Sequence, residues 1–275
     1  MDWRDLGPDK QGRMRIAVIG EGADASLIPG MLTAALKEID IPSQVVSFEP
    51  RSEDFTECIQ HLAACGVKGV SVGNPHKPMA AKLAKDFFQV KHSLGVANAL
   101  TLGSEVYGQN TEVPAFVRRI ADFKPATALV MGSGRAARSV VMGLFELGWQ
   151  VRLWNRSAMR TKPFLTLFQR YGKIEMATMA DPSGCTMIVN ATPLGARAGE
   201  QAPVKWTYAR AHTVAVDLVY RNVATEFLRQ AMQRGFKTVD GRELVVEQTA
   251  LALEWWTGKP VPREPMMRVA GIVKG

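Results

Sequence analysis

The sequence predicts an α/β protein of two domains, each with a largely parallel sheet that helices cover on both faces. Short apolar runs typical of strands alternate with segments whose apolar residues recur at helical spacing, which is the pattern of βαβ units. The alternation occurs as two series, and Pro114 and Pro125 lie in the segment that connects them. A chain of 275 residues is long enough to form two modest domains.

The first series contains four predicted strands and three predicted helices. The strands are short apolar runs, at residues 15–20, 44–48, 69–72 and 105–107. The helices carry apolar residues three and four positions apart, at residues 28–39, 54–65 and 79–88.

The second series runs from residue 126 to residue 240. Its predicted strands lie at residues 127–131, 151–154, 187–190, 213–217 and 237–239. A strong helical pattern at residues 244–256 closes the chain. We expect one domain to bind a dinucleotide and the other a substrate, with the reactive groups in the cleft between them.

The composition is that of an ordered soluble protein, with 47% apolar and 22% charged residues. No stretch approaches the roughly 20 consecutive apolar residues of a membrane span, so we expect no membrane insertion. The first residues mix charges of both signs and lack the core of a signal peptide, which favours the cytoplasm. Three scattered cysteines, Cys58, Cys65 and Cys185, predict neither a disulfide framework nor a metal site.

The net charge of +8 is unevenly distributed. Residues 1–113 hold 11 Lys and Arg against 14 Asp and Glu, whereas residues 114–275 hold 23 against 12. A basic half can bind nucleic acid, but it also attracts a polyanionic cofactor. Because there is no run of basic residues and no RNA-binding motif, we expect no nucleic-acid partner.

A glycine turn follows the first strand of the second series and opens a helix. Gly132 permits a tight turn, and Gly134 lets backbone N–H groups approach a pyrophosphate. Ala137 keeps the helix close to the sheet, and the positive end of that helix favours an anion. The strand, turn and helix together indicate a dinucleotide site.

The residues after the next strand indicate which dinucleotide binds. An acid usually stands there to hold the ribose 2′-OH of NAD, but this chain has Asn155, Arg156, Ser157 and then Arg160. Guanidiniums pair well with phosphate oxygens, so the sequence predicts NADP(H) rather than NAD. The predicted cofactor-binding residues of these two segments are Gly132, Ser133, Gly134, Arg135, Ala136, Ala137, Asn155, Arg156, Ser157 and Arg160.

Four polar segments are candidates for the reactive site because each follows a predicted strand or opens a helix. They lie at residues 73–77, 95–98, 108–112 and 240–248. With them the chain resembles the shikimate dehydrogenase family over nearly its whole length. The motifs that carry the resemblance are VIG near the start, NPHK, GVANAL, QNTE, GSGRAARS, WNRS, VNATPLG, DLVYRNVATEFL and DG…EQ.

The resemblance implies a domain arrangement. An N-terminal α/β substrate domain would comprise residues 1–113 with 241–275, to which the C-terminal helix returns. A Rossmann NADP-binding domain would comprise residues 114–240.

The resemblance also implies catalytic and binding roles. Lys77, in the position of the lysine of the family's Pro-Phe-Lys, and Glu112, in the position of the aspartate of its Asn-Thr-Asp, would form the catalytic pair. A lysine can take up a hydroxyl proton when desolvation lowers its pKa and a carboxylate orients it. Further implied substrate-binding residues are Ser26, Ser71, Asn98, Tyr220 and Gln248. Further implied cofactor contacts are Asn190, Ala191, Thr192 and Leu218.

The chain departs from the family pattern at several positions. The family's Ser-x-Ser-Pro reads Ser26-Leu-Ile28-Pro, and its Asn-Val-Thr reads Ser71-Val-Gly73, so two hydroxyl groups are lost. Arg135 replaces a glycine and would either clash with the nucleotide or contact a phosphate. His76 replaces a phenylalanine and either supplies a new donor or has no such role.

These observations predict an NADP(H)-dependent oxidoreductase that interconverts a ring alcohol and a ketone on a shikimate- or quinate-like hydroxy acid. The lost hydroxyls favour a divergent paralogue whose partner is a small hydroxy-carboxylate, acting as a monomer or homodimer. Two alternatives stay open. One is a non-catalytic NADP-binding sensor, and the other is a different two-domain NADP dehydrogenase, such as a methylenetetrahydrofolate dehydrogenase-like enzyme.

Overall fold

The computed structural model describes residues 2–85, 95–221 and 223–272. The chain divides into two compact units, Met1–Glu112 with Val245–Gly275, and Val113–Leu244. We refer to them as unit 1 and unit 2. Each is an α/β structure, which confirms the predicted fold class.

Unit 1 is built on a five-stranded sheet of order β2-β1-β3-β4-β5. Strands β2 and β3 pair parallel to β1, whereas β4 and β5 add antiparallel at one edge. The strands are β1 (Met14–Ile19), β2 (Ser43–Phe48), β3 (Val67–Val72), β4 (Ala99–Leu102) and β5 (Val106–Gln109). Strand β4 was not predicted, and β5 begins and ends later than the predicted strand at 105–107.

The helices of unit 1 cover both faces of this sheet. Ile16 and Val18 of β1 belong to one apolar cluster, and Ala17 and Ile19 belong to another, as the alternation of side chains along a strand requires. The helices are α1 (Leu27–Glu38), α2 (Phe55–Ala64), α3 (Lys77–Leu83), α9 (Glu264–Val269) and the part of α8 (Gly241–Thr257) from Val245 onward. The predicted helix at 79–88 corresponds to α3, and its last three residues lie outside the described residues.

The closing helix α8 is anchored to the sheet of unit 1 by Trp256. Its indole Nε1 donates to the Leu100 carbonyl over 3.0 Å, and the ring lies over Gly69 of β3. A Cβ at Gly69 would lie 2.4 Å from that ring, so only glycine leaves room for the tryptophan. This packing fixes the end of α8 on unit 1.

Unit 2 is built on a six-stranded sheet of order β11-β10-β9-β6-β7-β8, in which every pairing is parallel. The strand order reverses between β6 and β9, as in doubly wound nucleotide-binding folds. The strands are β6 (Thr127–Met131), β7 (Gln150–Trp154), β8 (Ile174–Met176), β9 (Met187–Asn190), β10 (Val214–Asp217) and β11 (Lys237–Val239). Strand β8 was not predicted.

Among the described residues of unit 2, one α-helix precedes β6, and three others follow β6, β7 and β10. They are α4 (Glu112–Ile120), whose first residue belongs to unit 1, α5 (Arg135–Glu146), α6 (Ala158–Phe168) and α7 (Glu226–Gln233). No helix in the described ranges is long and apolar enough to cross a membrane.

Candidate active site

Lys77 and Glu112 are in direct contact in unit 1. Lys77 is the first residue of α3, and Glu112 is the first residue of α4. The Lys77 Nζ donates a hydrogen bond to the Glu112 Oε1, and the two side chains are 19% and 18% exposed. The structure therefore brings together the two groups of the predicted catalytic pair and leaves each partly accessible.

Asn98 holds the segment that ends in Glu112. Its buried amide donates from Nδ2 to the Thr111 Oγ1 over 2.9 Å and accepts at Oδ1 from the Thr111 backbone N–H over 2.7 Å. The Glu112 backbone N–H donates to the Asn110 Oδ1 over 2.9 Å. An amide offers two donors and two acceptors, so these bonds use only one of each at Asn98. Sequence reasoning assigned no role to Thr111, although it lies inside the QNTE motif.

The three other predicted substrate-binding residues of unit 1 are half-buried. Ser26 immediately precedes α1, and its hydroxyl donates to the Ala23 carbonyl over 2.8 Å. Ser71 lies on β3, where its strand neighbours are Val18 and Ala99. Gln248 lies in the second turn of α8.

Two positions that depart from the family pattern, His76 and Ile28, pack against apolar side chains. His76 is 2% exposed, and its ring stacks on Phe55 with a centroid distance of 5.1 Å. Burial lowers the pKa of the His76 imidazole, and a backbone hydrogen bond at Pro50 partly opposes this shift. Ile28 packs against the apolar cluster between α1 and α8.

Gly73 lies where two loops of unit 1 touch through their backbones. Its N–H donates to the Ile19 carbonyl over 2.6 Å, and a Cβ built at Gly20 would lie 2.9 Å from the Gly73 Cα. A side chain at position 73 would press on the Ile19 carbonyl at 3.2 Å. The glycine thus allows a close approach of the loops after β1 and β3.

The glycine turn of unit 2 has the expected local form. Gly132 has a φ of +106° and lies so close to the next loop that a Cβ would meet the Ala191 carbonyl oxygen at 2.7 Å. Gly134 caps α5 with an extended backbone, and no atom lies within 4 Å of the place where its Cβ would be. Ala137, in the first turn of α5, is fully buried. Gly132 is therefore required by packing, whereas Gly134 leaves open space.

The loop after β7 is tied to this turn. The Asn155 Nδ2 donates to the Ser133 Oγ over 2.8 Å and to the Ser157 carbonyl over 3.3 Å. Arg156 and Arg160 are exposed on either side of Ser157, which precedes α6. Two guanidiniums are consequently available at the edge of the loop. Farther along the turn, Arg135 and Ala136 are also exposed at the start of α5.

A buried polar network joins the ends of β9 and β10. Asn190 donates from Nδ2 to the Asp217 Oδ1 over 2.9 Å and accepts from the Thr192 hydroxyl over 2.7 Å. The Leu218 N–H donates to the Asn190 carbonyl over 3.0 Å, and Tyr220 beyond it is 38% exposed. The predicted cofactor residues of this region, Asn190, Ala191, Thr192 and Leu218, therefore lie on two adjoining loops.

Asp217 is a second polar residue to which the sequence assigned no role. It is fully buried, and burial raises the pKa of its carboxyl to about 6, with the Asp240 carboxylate adding to the effect. In the sequence, Asp217 stands at the end of a predicted strand and at the start of the motif DLVYRNVATEFL. Within the described ranges, no group of three or more His, Cys, Asp or Glu side chains is arranged to hold a metal ion.

Comparison with known proteins identifies the family. Residues 18–100 match the family model described as the shikimate dehydrogenase substrate binding domain, and residues 241–270 match the shikimate 5'-dehydrogenase C-terminal domain. A shikimate dehydrogenase (NADP(+)) from Synechocystis sp. is 32% identical, over 94% of this chain and 96% of that protein. The chain belongs to the shikimate dehydrogenase family.

Solved structures of shikimate dehydrogenases share the whole fold. The enzyme from Thermus thermophilus, solved in complex with NADP(H) and shikimate, is 27% identical, with a TM-score of 0.85 over 94% of this chain and 98% of that one. The enzyme from Aquifex aeolicus is 25% identical, with a TM-score of 0.85 over 95% of this chain and 98% of that one. The family membership suggested by the motifs is confirmed.

Proposed function

We propose that this protein is an NADP(H)-dependent oxidoreductase that interconverts a ring alcohol and a ketone on a shikimate- or quinate-like hydroxy acid. Unit 1 would bind the substrate and unit 2 the cofactor. The observation that carries the proposal is the contact between the partly exposed side chains of Lys77 and Glu112. The names of the relatives, shikimate dehydrogenase (NADP(+)), support the reaction class and the cofactor.

The residues of unit 2 fit NADP(H). The open space at Gly134 leaves room for a pyrophosphate beside the N-terminus of α5, where backbone N–H groups and the helix dipole favour an anion. Arg156 and Arg160 would hold the 2′-phosphate, and Asn155 would fix the loop that carries Arg156 and leads into α6, which carries Arg160. When bound, NADP⁺ supplies the hydride acceptor for alcohol oxidation.

The residues of unit 1 fit the proton transfer that accompanies this oxidation. As the alcohol carbon loses its hydride, the hydroxyl oxygen must release a proton, and Lys77 would accept it at Nζ. Glu112 would orient that nitrogen through their hydrogen bond. Asn98 would use its remaining donor and acceptor on the substrate hydroxyls. In the reverse direction, Lys77 returns the proton to the ketone oxygen.

The identity of the substrate is a separate part of the proposal. Ile28 and Gly73 remove two hydroxyls that the family pattern provides, and a site with fewer donors discriminates less among polar substrates. We therefore propose a divergent member of the family rather than its main biosynthetic enzyme. The same two losses favour the second candidate, an NADP-binding sensor without turnover.

A turnover assay with matched lysine variants tests the proposal. Purified protein is mixed with NADP⁺ and either shikimate or quinate, and the appearance of reduced cofactor is followed by absorbance. Lys77→Ala should lower kcat by about 10²-fold or more because the proton acceptor is removed, with little change in NADP⁺ affinity. Lys68→Ala removes an exposed lysine of β3 and serves as the control, with unchanged kcat.

The outcomes of this assay distinguish the two candidate functions. Equal rates for Lys77→Ala and wild type would remove Lys77 from the mechanism. Tight NADP⁺ binding without turnover of any hydroxy acid tested would favour the sensor. The absence of NADP⁺ binding would refute both candidates.

A further inference from the structure

Asp217 has a set of partners that goes beyond ordinary strand packing. One carboxylate oxygen accepts from the Asn190 Nδ2 over 2.9 Å and from the Val219 backbone N–H over 3.1 Å. The other oxygen accepts from the Thr225 hydroxyl over 2.5 Å. Asp217, Asn190 and Thr225 are at most 1% exposed. Three donors therefore converge on one acceptor group that is shielded from water.

Each partner of Asp217 belongs to a different piece of chain. Asn190 ends β9 and, through its own bonds to Thr192 and the Leu194 carbonyl, holds the loop that follows. Val219 lies in the loop after β10. Thr225 is the residue before α7, and its Oγ1 caps that helix by accepting from the Leu228 N–H over 3.3 Å. One carboxylate thus connects two loops and a helix start.

The arrangement extends to the glycine turn. Ala191 directly follows Asn190, and its N–H donates to the Met131 carbonyl over 2.9 Å. A Cβ built at Gly132 would lie 2.7 Å from the Ala191 carbonyl oxygen, so the glycine turn packs directly against the loop after β9. A shift of the loop after β9 would consequently disturb the turn.

The loop after β10 is also held from its other side. A Cβ at Gly241 would lie 2.7 Å from the Val219 carbonyl oxygen and 2.9 Å from that of Leu218. The start of α8 therefore packs directly on the backbone of this loop. With Asp217 on one side and Gly241 on the other, Leu218 and Tyr220 are carried by a restrained segment.

We propose that Asp217 is a positioning residue for the nicotinamide half of the cofactor site, and this inference rests on the proposed function. The adenosine half is expected over the loops after β6 and β7, where the glycine turn and the exposed arginines lie. Because the strand order reverses between β6 and β9, the other half of a dinucleotide lies over the loops after β9 and β10. Asp217 joins those two loops without reaching the ligand itself.

A fragment-binding experiment separates positioning from a general role in folding. Asp217→Asn keeps the shape and one acceptor oxygen, but its amide nitrogen cannot accept the Thr225 hydroxyl proton. We expect NADP⁺ to bind about tenfold more weakly to this variant by calorimetry, as for one lost charge-assisted bond. Adenosine 2′,5′-bisphosphate, which lacks the nicotinamide half, should bind as it does to wild type. Asp181→Asn removes a carboxylate whose hydrogen bonds, among the described residues, go to Ser183 of its own loop, and it should change neither affinity.

A second pair of variants covers the case in which Asp217→Asn does not fold. Thr225→Val removes the donor to Asp217 and should reproduce the selective loss of NADP⁺ affinity. Thr225→Ser keeps the hydroxyl and should restore the wild-type affinity.

The results distinguish this inference from the proposed function. Wild-type protein that binds no NADP⁺ refutes the proposed function and the inference together. Normal NADP⁺ binding by Asp217→Asn and Thr225→Val, or an equal loss for NADP⁺ and the bisphosphate, overturns the inference alone.

Discussion

The two glycines of the turn after β6 should respond in opposite ways to substitution by alanine. Gly132 has a φ of +106°, and its Cβ would press on the Ala191 carbonyl oxygen at 2.7 Å. Gly134 has a φ of −82°, which alanine adopts, and its Cβ would meet nothing within 4 Å. Gly132→Ala therefore perturbs the folded protein, whereas Gly134→Ala adds a methyl group only to open space.

The geometry at each glycine, combined with general energetics, sets the expected size of both effects. For Gly132→Ala, the backbone conformation costs about 1–3 kcal/mol of unfolding free energy. The overlap with Ala191 adds a similar amount, of the order of overpacking in a core, about 1–3 kcal/mol. For Gly134→Ala, the lower entropy of the unfolded chain and the weaker helix cap offset each other, so the change is within about 1 kcal/mol. If the pyrophosphate approaches Gly134, the new methyl should weaken NADP⁺ binding at least tenfold, or about 1.4 kcal/mol.

Denaturant unfolding and NADP⁺ titration on the same samples measure the two effects separately. Gly7→Ala serves as the control, since its Cβ also meets nothing within 4 Å and it lies in unit 1. We expect Gly132→Ala to lose stability, Gly134→Ala to lose only affinity, and Gly7→Ala to lose neither. Wild-type NADP⁺ affinity in Gly134→Ala would refute the assignment of this turn to the pyrophosphate.

Three further predictions concern the cofactor phosphate, the buried amide and the buried acid. Replacing Arg156 and Arg160 together by alanine should weaken NADP⁺ binding by about 10²-fold while sparing NAD⁺, since two charge-assisted bonds are lost; equal losses for both cofactors would contradict the clamp. Asn98→Ala should lower the unfolding free energy by about 1–3 kcal/mol, because the Thr111 N–H loses its acceptor, and denaturant unfolding checks this. Burial raises the pKa of Asp217 to about 6, so the folded state holds this proton more tightly than the unfolded chain does. The contribution of the protonated carboxyl to the unfolding free energy is complete below about pH 4. It is lost as the pH rises through about 6, and the unfolding free energy falls by about 3 kcal/mol in all. Unfolding curves of wild type and Asp217→Asn at pH 4 and pH 8 measure this change, and a difference between the two proteins that is constant with pH would exclude it.

Much of the fold could be predicted because its signals are local. Strands β1, β2, β6 and β9 are apolar runs bounded by polar or turn residues, and such runs form strands in most contexts. Strand β4 was missed because it is four residues long and its sequence was assigned to a site motif. Strand β8 has only three residues and contains exposed Glu175 and Met176, so it is a strand only because β7 pairs with it.

The candidate site was only partly predictable, because some of its contacts join segments that are distant in the sequence. Motif order was enough to select Lys77 and Glu112, and the structure shows the two in contact. The sequence left two alternatives open for His76, and its stacking on Phe55 depends on α2 packing beside the turn before α3. The bonds of Thr111 to Asn98 could not be foreseen, because they depend on the register of β4 and β5.

The sequence by itself determined the α/β class, the glycine turn, the replacement of an acid by arginines after β7, and the family. These features depend on residue type and spacing along the chain, which act over a few turns or one strand. Only the tertiary structure decided that Gly69 must make room for Trp256 and that three donors converge on Asp217. Burial and hydrogen bonding depend on which distant segments pack together, and the order of residues along the chain does not specify that packing directly.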